Sequence, residues 1–473
     1  MIAEYITIEP FVFKRILTAR IEKSVNSHGG GTVVGYIRTE DEAEYTSYPL
    51  GNTPVIVNAV GEAGENRILF YGILEDLNIT RENSQLLLEV RFTAYTRLMD
   101  LLPHRRAFQN GTCTYSDILK YLCSVYDGAG FIMESGFSSV PIQDLVIQYQ
   151  ETDWEFLLRL ASHFNAPVIS DFLTPGVRFY FGLPGRPSGI CINDTEYRLE
   201  KSLISYQYKM QNGVTGTSEY DDMTVIWKSQ ELLEIGDRVQ FEDRPYVVHG
   251  SVSHLDGHQM IHTYLLSTEN GLKMPKKYND TIIGTSIDGI VTGVQSTVVR
   301  VQLGIEDVQP STRWYPYATV FSSPDGSGWY CMPQTGDEIR LYFPTRSEKH
   351  AYAVSSVHKP VTGVQTQDGK TQAPRSNPLN NELKSQDGKV VQLLEDRIVM
   401  SNGNGLIIAM VDNEGIVIES TGNLDITAGE SVYISGTGLN LIGTEQITMI
   451  SGGSSVKLSD SNVIISSTDV KVQ

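Results

Sequence analysis

The stretch DRIVMSNGNGLIIAMVDNEGIVIESTGNLDITAGESVYISGTGLNLIGTEQITMISGGSSVKLSDSNVIISS, residues 396–467, decides how the whole chain is read. Steps of eight from Met400 give Met400, Ile408, Ile416, Leu424, Val432, Asn440, Thr448, Val456 and Ile464, of which seven of nine are apolar. Steps of eight from Met410 give Met410, Ile418, Ile426, Ile434, Ile442, Ile450, Leu458 and Ser466, seven of eight apolar. The two rows lie two residues apart, so in an extended chain both side chains of each octad point to one face. The ten glycines after residue 400 all fall off these rows, at positions where turns need positive φ. A short strand and a turn, repeated at a fixed period, describe a stack of rungs.

One chain is a poor host for such a stack. Eight residues are few for a coil that needs three walls per turn, and burying the row side chains does not by itself offset the entropy of ordering the segment. Three identical chains wound round one axis, each supplying one wall, meet both difficulties. Residues 396–473 are therefore expected to form an intertwined trimeric β-helix. Its core would hold Ile408, Met410, Ile416, Ile418, Leu424, Ile426, Val432, Ile434, Ile442, Ile450, Val456 and Leu458. A single-chain solenoid or an amyloid-like stack has the same period and stands as the alternative. From Asp396 onward nine acidic residues face three basic ones; a solvated exterior is expected in preference to cation sites on the axis.

Working back along the chain, residues 359–395 are rich in Pro, Asn, Gln, Lys and Ser and read as a polar linker, too short for an enzyme domain. Before it, alternating runs at Ile287–Val291, Thr297–Leu303, Trp314–Val320, Glu338–Phe343 and Ala351–Val357 give five strands within residues 285–358. That is the size and strand count of an OB-type barrel. Its aromatic residues are not interleaved with Lys or Arg as single-strand nucleic-acid binding requires, so a structural adaptor is expected. Further upstream, TYSDILKYLCSVYDG has Ser116 placed as a helix cap with Ile118, Leu119, Leu122 and Val125 on one face. In IQYQETDWEFLLRLASHF, Thr152 is placed to cap a helix carrying Phe156, Leu157, Leu160, Ala161 and Phe164.

These segments resemble one family. Trp314, the Gly328-Trp329 turn and the run from Pro333 through Gly336 and Asp337 to Glu338 are similar to the OB domain of VgrG spike proteins and of the cell-puncturing spike of contractile phages. Tyr149, Glu151, Thr152, Asp153, Phe156, Leu157, Arg159 and Leu160 resemble the hub portion of the same proteins. The octad β-helix behind the OB segment is the family's other hallmark. The resemblance is weakest over residues 20–65, where HGGGTVVG and TEDEAEY match nothing in it.

The resemblance implies a mainly β chain with a few helices: two hub β-barrel subdomains over residues 1–275, an OB-fold barrel over 285–358, the linker over 359–395 and the needle over 396–473. It further implies a homotrimer, its two-barrel hubs forming a pseudo-sixfold ring that joins the tail tube and baseplate proteins to a membrane-piercing needle. Ser466, Ser467, Val470 and Val472 would form the end that a PAAR-type tip protein covers, and a secreted effector is a further implied partner. Such a particle is assembled in the bacterial cytoplasm and acts on a target cell envelope when it fires. The rival expectation is a trimeric tail fibre or adhesin that recognises a cell-surface glycan. An envelope-degrading enzyme is a third.

Composition agrees with this reading. The 473 residues allow two to four domains, and 37 basic against 56 acidic residues give a net charge of −19, the wrong sign for a protein held to nucleic acid by its phosphates. No stretch is long and apolar enough to span a bilayer, and MIAEYITIEP carries acidic residues where an export signal has basic ones. Cys113, Cys123, Cys191 and Cys331 lack metal spacing and are expected to be buried reduced thiols. Glu151 and Asp153 are a carboxylate pair, but at a helix start they are better placed to meet the amide dipole than to catalyse. His249, His254, His258 and His262 lack the spacing of a HExxH helix and are expected at the surface. No catalytic residue, cofactor or metal is expected.

Overall fold

The computed structural model describes residues 5–61, 64–193, 196–257, 259–308, 310–354, 364–365, 371–372 and 377–471. The chain divides into two units, residues 1–357 and 358–473. No helix of the first or second unit is long and apolar enough to cross a membrane, among the described residues.

The first unit opens with strands β1 (Tyr5–Glu9), β2 (Arg15–Ser24), β3 (Gly30–Ile37), β4 (Pro54–Val60), β5 (Asn66–Glu82) and β6 (Gln85–Thr93), with a short helix α1 (Glu42–Thr46) between β3 and β4. Then come β7 (Pro103–Phe108), α2 (Tyr115–Ser124), β8 (Gly130–Met133), β9 (Val146–Thr152), α3 (Asp153–Ser162), β10 (Val168–Ser170) and β11 (Arg178–Phe181). The third group is β12 (Arg186–Ile192), β13 (Tyr197–Lys201), α4 (Leu203–Gln211), β14 (Met223–Ser229), β15 (Asp237–Phe241), β16 (Arg244–Asp256) and β17 (Gln259–Ser267).

The first and third groups share one twelve-stranded sheet. Along it the first six strands run β2-β3-β6-β5-β4-β1 and the last six run β13-β14-β17-β16-β15-β12. If the strands of each half are numbered one to six, both orders read 2-3-6-5-4-1. The halves are joined where β2 pairs antiparallel with β16, from Ser24↔Gly250 to Arg20↔His254. They differ at one end, since β4 and β1 pair antiparallel whereas β15 and β12 pair parallel. Alternate residues of the strands, among them Ile21, Val33, Val57, Phe92, Val225, Val248, Tyr264 and Leu266, make one core.

The glycine-rich run that matched nothing in the family is explained by strand packing. Gly30 and Gly31 lie in β3, between β2 and β6. A Cβ on Gly31 would sit 2.5 Å from the Phe92 ring and 2.6 Å from the Arg20 carbonyl oxygen, so neither neighbouring strand leaves room for a side chain there.

The middle group has its own core, in which α2 and α3 pack through Ile118, Leu119, Leu122, Phe156, Leu157 and Leu160 onto Phe108 and Val146. Thr114, not Ser116, caps α2: its side chain accepts from the Asp117 amide while the Asp117 carboxylate accepts from the Thr114 amide. Ser116 is already inside the helix, because that reciprocal pair sets the start two residues earlier. Thr152 caps α3 in the same way with Glu155.

The last part of the first unit is a five-stranded sheet. Strands β18 (Ser286–Gln295), β19 (Val298–Leu303), β20 (Glu306–Asp307), β21 (Tyr315–Pro316), β22 (Glu338–Tyr342) and β23 (Tyr352–Val354) follow in the chain, and β20 is the one that leaves this sheet. The order is β21-β19-β18-β22-β23, and a parallel bridge from Tyr317 to Ala353 links its two ends. The third strand is much shorter than the expected Trp314–Val320. Pro316 has no amide to give a ladder, the Ala318 amide turns to the Ala353 carbonyl at 2.8 Å, and Val320 and Phe321 stand exposed. Of the expected last strand, residues 355–357 lie outside the described residues.

The second unit differs from a uniform octad stack. Strands Asn381–Lys384, Val390–Leu393, Arg397–Ser401, Leu406–Val411 and Gly415–Ser420 form an antiparallel meander, and Gln446–Ser451, Ser454–Ser459 and Asn462–Ser466 form a second. Between them residues 421–445 have no strand. The meander begins inside the stretch expected to be linker, because Leu383, Val391 and Leu393 carry the apolar alternation back from the first octad: Leu383 pairs with Val391, Val391 with Met400 and Leu393 with Ile398. Most of the linker before residue 377 lies outside the described residues.

Candidate functional site

Two arrangements organise the chain's functional surfaces. One joins the middle group of elements to the five-stranded barrel inside the first unit; the other is the apolar face of the second.

At the junction, the sheet of β7 and β9 is used on both faces. Phe108 and Val146 point toward α2 and α3, while Ala107 and Ile147, with the adjacent Leu145, belong to the barrel core with Ile287, Val291, Val299, Val301, Ile339, Leu341 and Phe343. Strand β20 adds to the edge of β7 in parallel, Glu306 beside Arg106. Tyr315 donates its hydroxyl to the Gln109 side chain at 2.8 Å, and Arg313 donates to the main-chain oxygens of Gln143 and Ile142 at 2.5 and 3.0 Å.

The hub motif residues sit in this junction. Arg159 is 2 % exposed. It donates through Nε and Nη2 to Glu151 at 2.8 Å each, through Nη1 to Glu348 of the barrel at 2.9 Å, and through Nη2 to the Ile147 carbonyl at 2.5 Å. Burial opposes its charge, but Glu151 and Glu348 outweigh burial and hold the guanidinium protonated above its usual range. Burial pushes the Glu151 carboxyl up, with Arg159 opposing; two carboxylates share one cation, so one of them is under-compensated. Asp153 is fully buried and accepts from Arg106 at 2.5 Å, Gln148 at 2.8 Å and Tyr126 at 2.7 Å. Tyr149 holds the chain leaving the hub, its carbonyl accepting from Asn279 at 2.8 Å. Glu151 and Asp153 thus serve two different arginines and do not face a common substrate.

In the barrel, Trp314 lies under the Arg300 guanidinium, 4.5 Å from ring centroid to carbon. Gly328 has φ +140°, and a Cβ there would meet the Phe321 carbonyl oxygen at 2.5 Å. Trp329 next to it is half-exposed, and its amide donates to that same carbonyl at 2.8 Å. The segment after Pro333 is a turn: Gly336 has φ +96° and its amide donates to the Val291 carbonyl, while the Asp337 side chain accepts from the Gln334 amide at 2.8 Å. These family-motif residues shape the barrel and its long loop.

His262 and two of the cysteines depart from expectation. His262 is buried, with Nδ1 2.6 Å from the Ser253 hydroxyl, and the Nε2 atoms of His249 and His262 are shielded without a hydrogen-bond partner. The pairing of β16 with β17 and β2 covers these positions, which alternation alone did not reveal. His254 is opposite Arg20 in that ladder, and His258 lies outside the described residues. Cys113 is buried and Cys123 half-buried, but Cys191 and Cys331 are exposed. No group of three or more His, Cys, Asp or Glu is placed to hold a metal ion among the described residues. A polar cleft of about 590 Å³ beside the glycine run holds Arg20, Lys23, Arg91 and Arg97, but each has a carboxylate within 3.4 Å, in Glu22, Glu234, Glu89 and Asp100.

In the second unit, consecutive octads are brought side by side. Met400 pairs with Ile408 and Ile398 with Met410; Ile408 then pairs with Ile418 and Met410 with Ile416. In the first meander the rows therefore form one face, and a cleft of about 610 Å³ on it is lined by Leu383, Val391, Met400, Ile408, Ile418 and Leu424 among others. In the second meander they divide, Val456 and Leu458 sharing a face with Met449 and Ile447 while Ile450 and Ile464 pair with Ser455 and Lys457 on the other. The row residues have little cover in the single chain. Ile408, Met410, Ile416, Ile418, Leu424, Ile426, Val432, Ile434 and Ile450 are exposed, Ile442 at 93 %, and only Val456 and Leu458 are partly shielded. Leu424, Ile426, Val432, Ile434 and Ile442 fall in the strandless stretch. At the end, Ser466 closes the last strand, Ser467 reaches Ser454 at 3.0 Å between hydroxyls, Val470 is exposed, and Val472 lies outside the described residues.

No protein-family model matches the sequence, and no curated protein matches it. Solved structures do. The Escherichia coli c3393 protein, a component of the type VI secretion system with structural similarity to the T4 bacteriophage tail proteins gp27 and gp5, aligns with a TM-score of 0.52 and 14% identity over 74% of this chain and 98% of that one. The Francisella PdpA-VgrG complex aligns with a TM-score of 0.52 and 10% identity over 88% of this chain and 87% of that one in its half-lidded form. In its lidded form the values are 0.51 and 10%, over 86% and 76%. The structural neighbours are thus tail spike and hub proteins of the VgrG and gp5–gp27 type, at low sequence identity, and the mainly β fold of this chain is that of such hubs.

Proposed function

We propose that this chain is the central hub and spike of a contractile injection machine, working mechanically as a homotrimer and without catalysis. The observation that carries the reading is the uncovered face of the second unit. A chain in water does not keep large apolar side chains such as Ile398, Met400, Ile408, Met410, Ile416 and Ile418 in register on one sheet face unless something covers them, and two further copies of the same face are self-complementary cover. The rows would then be the core of a needle, and the barrel, its order β21-β19-β18-β22-β23 closed by the bridge from Tyr317 to Ala353, an OB-type adaptor between needle and hub. The hub would meet the tail tube and baseplate proteins, and the end from Ser466 to Val470 would take a PAAR-type tip protein, which would cover its open strand edges. Secreted effectors would travel with such a spike and act beyond the envelope it pierces.

The doubly used β7–β9 sheet suits this role, since force passing from hub to needle would meet a shared apolar core and buried ion pairs at the junction. Light scattering on the purified full-length chain tests the proposal: a mass near three times 52.5 kDa supports it, and a stable single-chain mass opposes it.

A further inference from the structure

The link between β17 and β18 and the turn before β23 carry a patch of unneutralised cations. Residues 273–280 and 345–350 hold Lys273, Lys276, Lys277, Arg346 and Lys349 against two acids, Asp280 and Glu348, the reverse of the whole chain's 37 basic to 56 acidic residues. Glu348 is already held by Arg159. Lys276, Lys277, Arg346 and Lys349 are exposed, and among the described residues none of them takes part in an ion pair. The cations of the cleft beside the glycine run, by contrast, each have a carboxylate partner.

These side chains are gathered at one seam. The Lys276 ammonium and the Arg346 guanidinium both lie over the Tyr278 ring, 5.3 and 4.5 Å from its centroid. Lys276 and Lys349 line a cleft of about 240 Å³ between the middle group and the barrel, whose walls include Val140, Pro141, Leu145 and Phe164. His163 adds no charge there: its Nδ1 is 2.8 Å from the Tyr115 hydroxyl, and burial first, then Lys276 and Arg159, brings its pKa down to about 3. A second cleft of about 290 Å³ shares Asp144, Leu145, Glu348 and Lys349 with the first and continues the groove to Arg313 and Trp314. The backbone beneath the cations is fixed. The Met274 amide donates to the Asn165 carbonyl at 3.2 Å, the Asn165 side chain donates to the Met274 carbonyl at 2.7 Å, and the Lys277 amide donates to Ser162 Oγ at 2.8 Å. The turn carrying Lys349 is closed by the His350 amide on the Ser347 carbonyl at 3.1 Å. Cations on ordered backbone, with no partner to give up, lose little on meeting an anion.

We propose that this groove docks an acidic segment of a partner protein, its carboxylates meeting Lys276, Arg346 and Lys349 and its apolar side chains lying on Val140, Pro141 and Phe164. Carboxylates fit better than phosphates, because Asp144 also lines the groove and would repel a group of nearly two negative charges more than a group of one. An extended segment fits better than a compact ligand, because the two clefts run into one another through shared residues. The charges select the partner and the apolar wall adds contact. The groove belongs to the first unit alone, so the proposal does not depend on the homotrimer reading.

Fluorescence anisotropy with the full-length chain tests this, the probe being a fluorescein-labelled hexapeptide of alternating glutamate and leucine. Binding is expected to weaken on the order of tenfold in Lys276→Glu/Lys349→Glu, with unchanged circular dichroism, and to persist in Lys276→Arg/Lys349→Arg. Lys14→Glu/Arg15→Glu, an equal change of net charge at exposed residues outside the groove, is expected to leave binding unaltered. Absence of binding to the native chain, or an equal loss in Lys14→Glu/Arg15→Glu, overturns the proposal. So does equal binding of the same peptide with glutamine in place of glutamate. Tighter capture of phosphatidylglycerol vesicles than of the peptide, lost with the same lysines, would make the patch a membrane contact and overturn it. A lower light-scattering mass for Lys276→Glu/Lys349→Glu than for the native chain would mean that the groove holds a second copy, which also overturns it.

Discussion

Arg159 on α3 and Glu348 in the turn before β23 are 189 residues apart in sequence and 2.9 Å apart in space, with side chains 3% and 14% exposed. That contact places Arg159 across the junction, where it ties the barrel to the middle group of elements as well as fixing Glu151.

Removing the arginine strands two carboxylates, whereas removing one carboxylate leaves the arginine a partner. Arg159→Met is therefore expected to lower stability by about 3 to 5 kcal/mol, and Glu348→Gln by about 1 to 3 kcal/mol. Urea denaturation followed by tryptophan fluorescence measures both. Equal losses would mean that Glu348 contributes as much as the whole cluster, against the geometry.

Gly31 is hemmed in by main chain on one side and an aromatic ring on the other. Gly31→Ala is expected to cost about 1 to 3 kcal/mol through overpacking, seen as a lower melting temperature of the hub. Gly130→Ala, at a position with open space around it, is the control and should cost less.

Shielded histidines are expected to make the first unit acid-sensitive. Burial, with help from nearby cations, lowers His262 and His249 to about 4 and His163 to about 3, from an ordinary 6.5. The unfolded chain therefore takes up protons first as pH falls, so the stability these groups contribute is complete above pH 6.5 and is lost between there and about 4. At about 1.4 kcal/mol per pH unit of difference, His262 alone accounts for at most about 3.5 kcal/mol. Melting temperatures from pH 7.5 to 4.5 should fall, and less steeply in His262→Gln; a flat profile for the native chain would contradict this.

Much of the chain was legible because hydrophobic period survives any amount of sequence drift. The rows through Ile408 and Ile418 were visible as side chains on one face, and from Met400 to Ile418 they share one, whereas in the last three strands Ile450 and Ile464 lie on the face opposite Val456 and Leu458. What sequence could not show was which strands fold back within a chain: the antiparallel meander from Asn381 to Ser420 needs its turns at Gly388, Gly403 and Gly415 to be read as reversals, and the period alone fits a hairpin or a wall. The tandem repeat of the hub escaped notice for a related reason. Its clearest sequence trace is five residues long, RIEKS against RLEKS, and the rest is strand register, which side-chain identity does not encode. The role of Glu348 had no local signal, since its partner is supplied by another domain.

Row residues that are exposed in one chain and would be buried among three in the proposed trimer should separate folding from assembly. Ile434→Asp is expected to change the melting of the first unit by less than about 0.5 kcal/mol, as a surface substitution does, yet to abolish the SDS-resistant oligomer expected of the wild type. An unaltered oligomer on the gel would remove Ile434 from the proposed core.

The central claim is that three copies meet along the rows of the second unit, and the mass of the full-length chain in solution tests it most directly. Multi-angle light scattering at micromolar concentration is predicted to give about three times 52.5 kDa for the native chain and a lower mass for Ile434→Asp. A native mass of 52.5 kDa, with the rows left in water, would contradict the account.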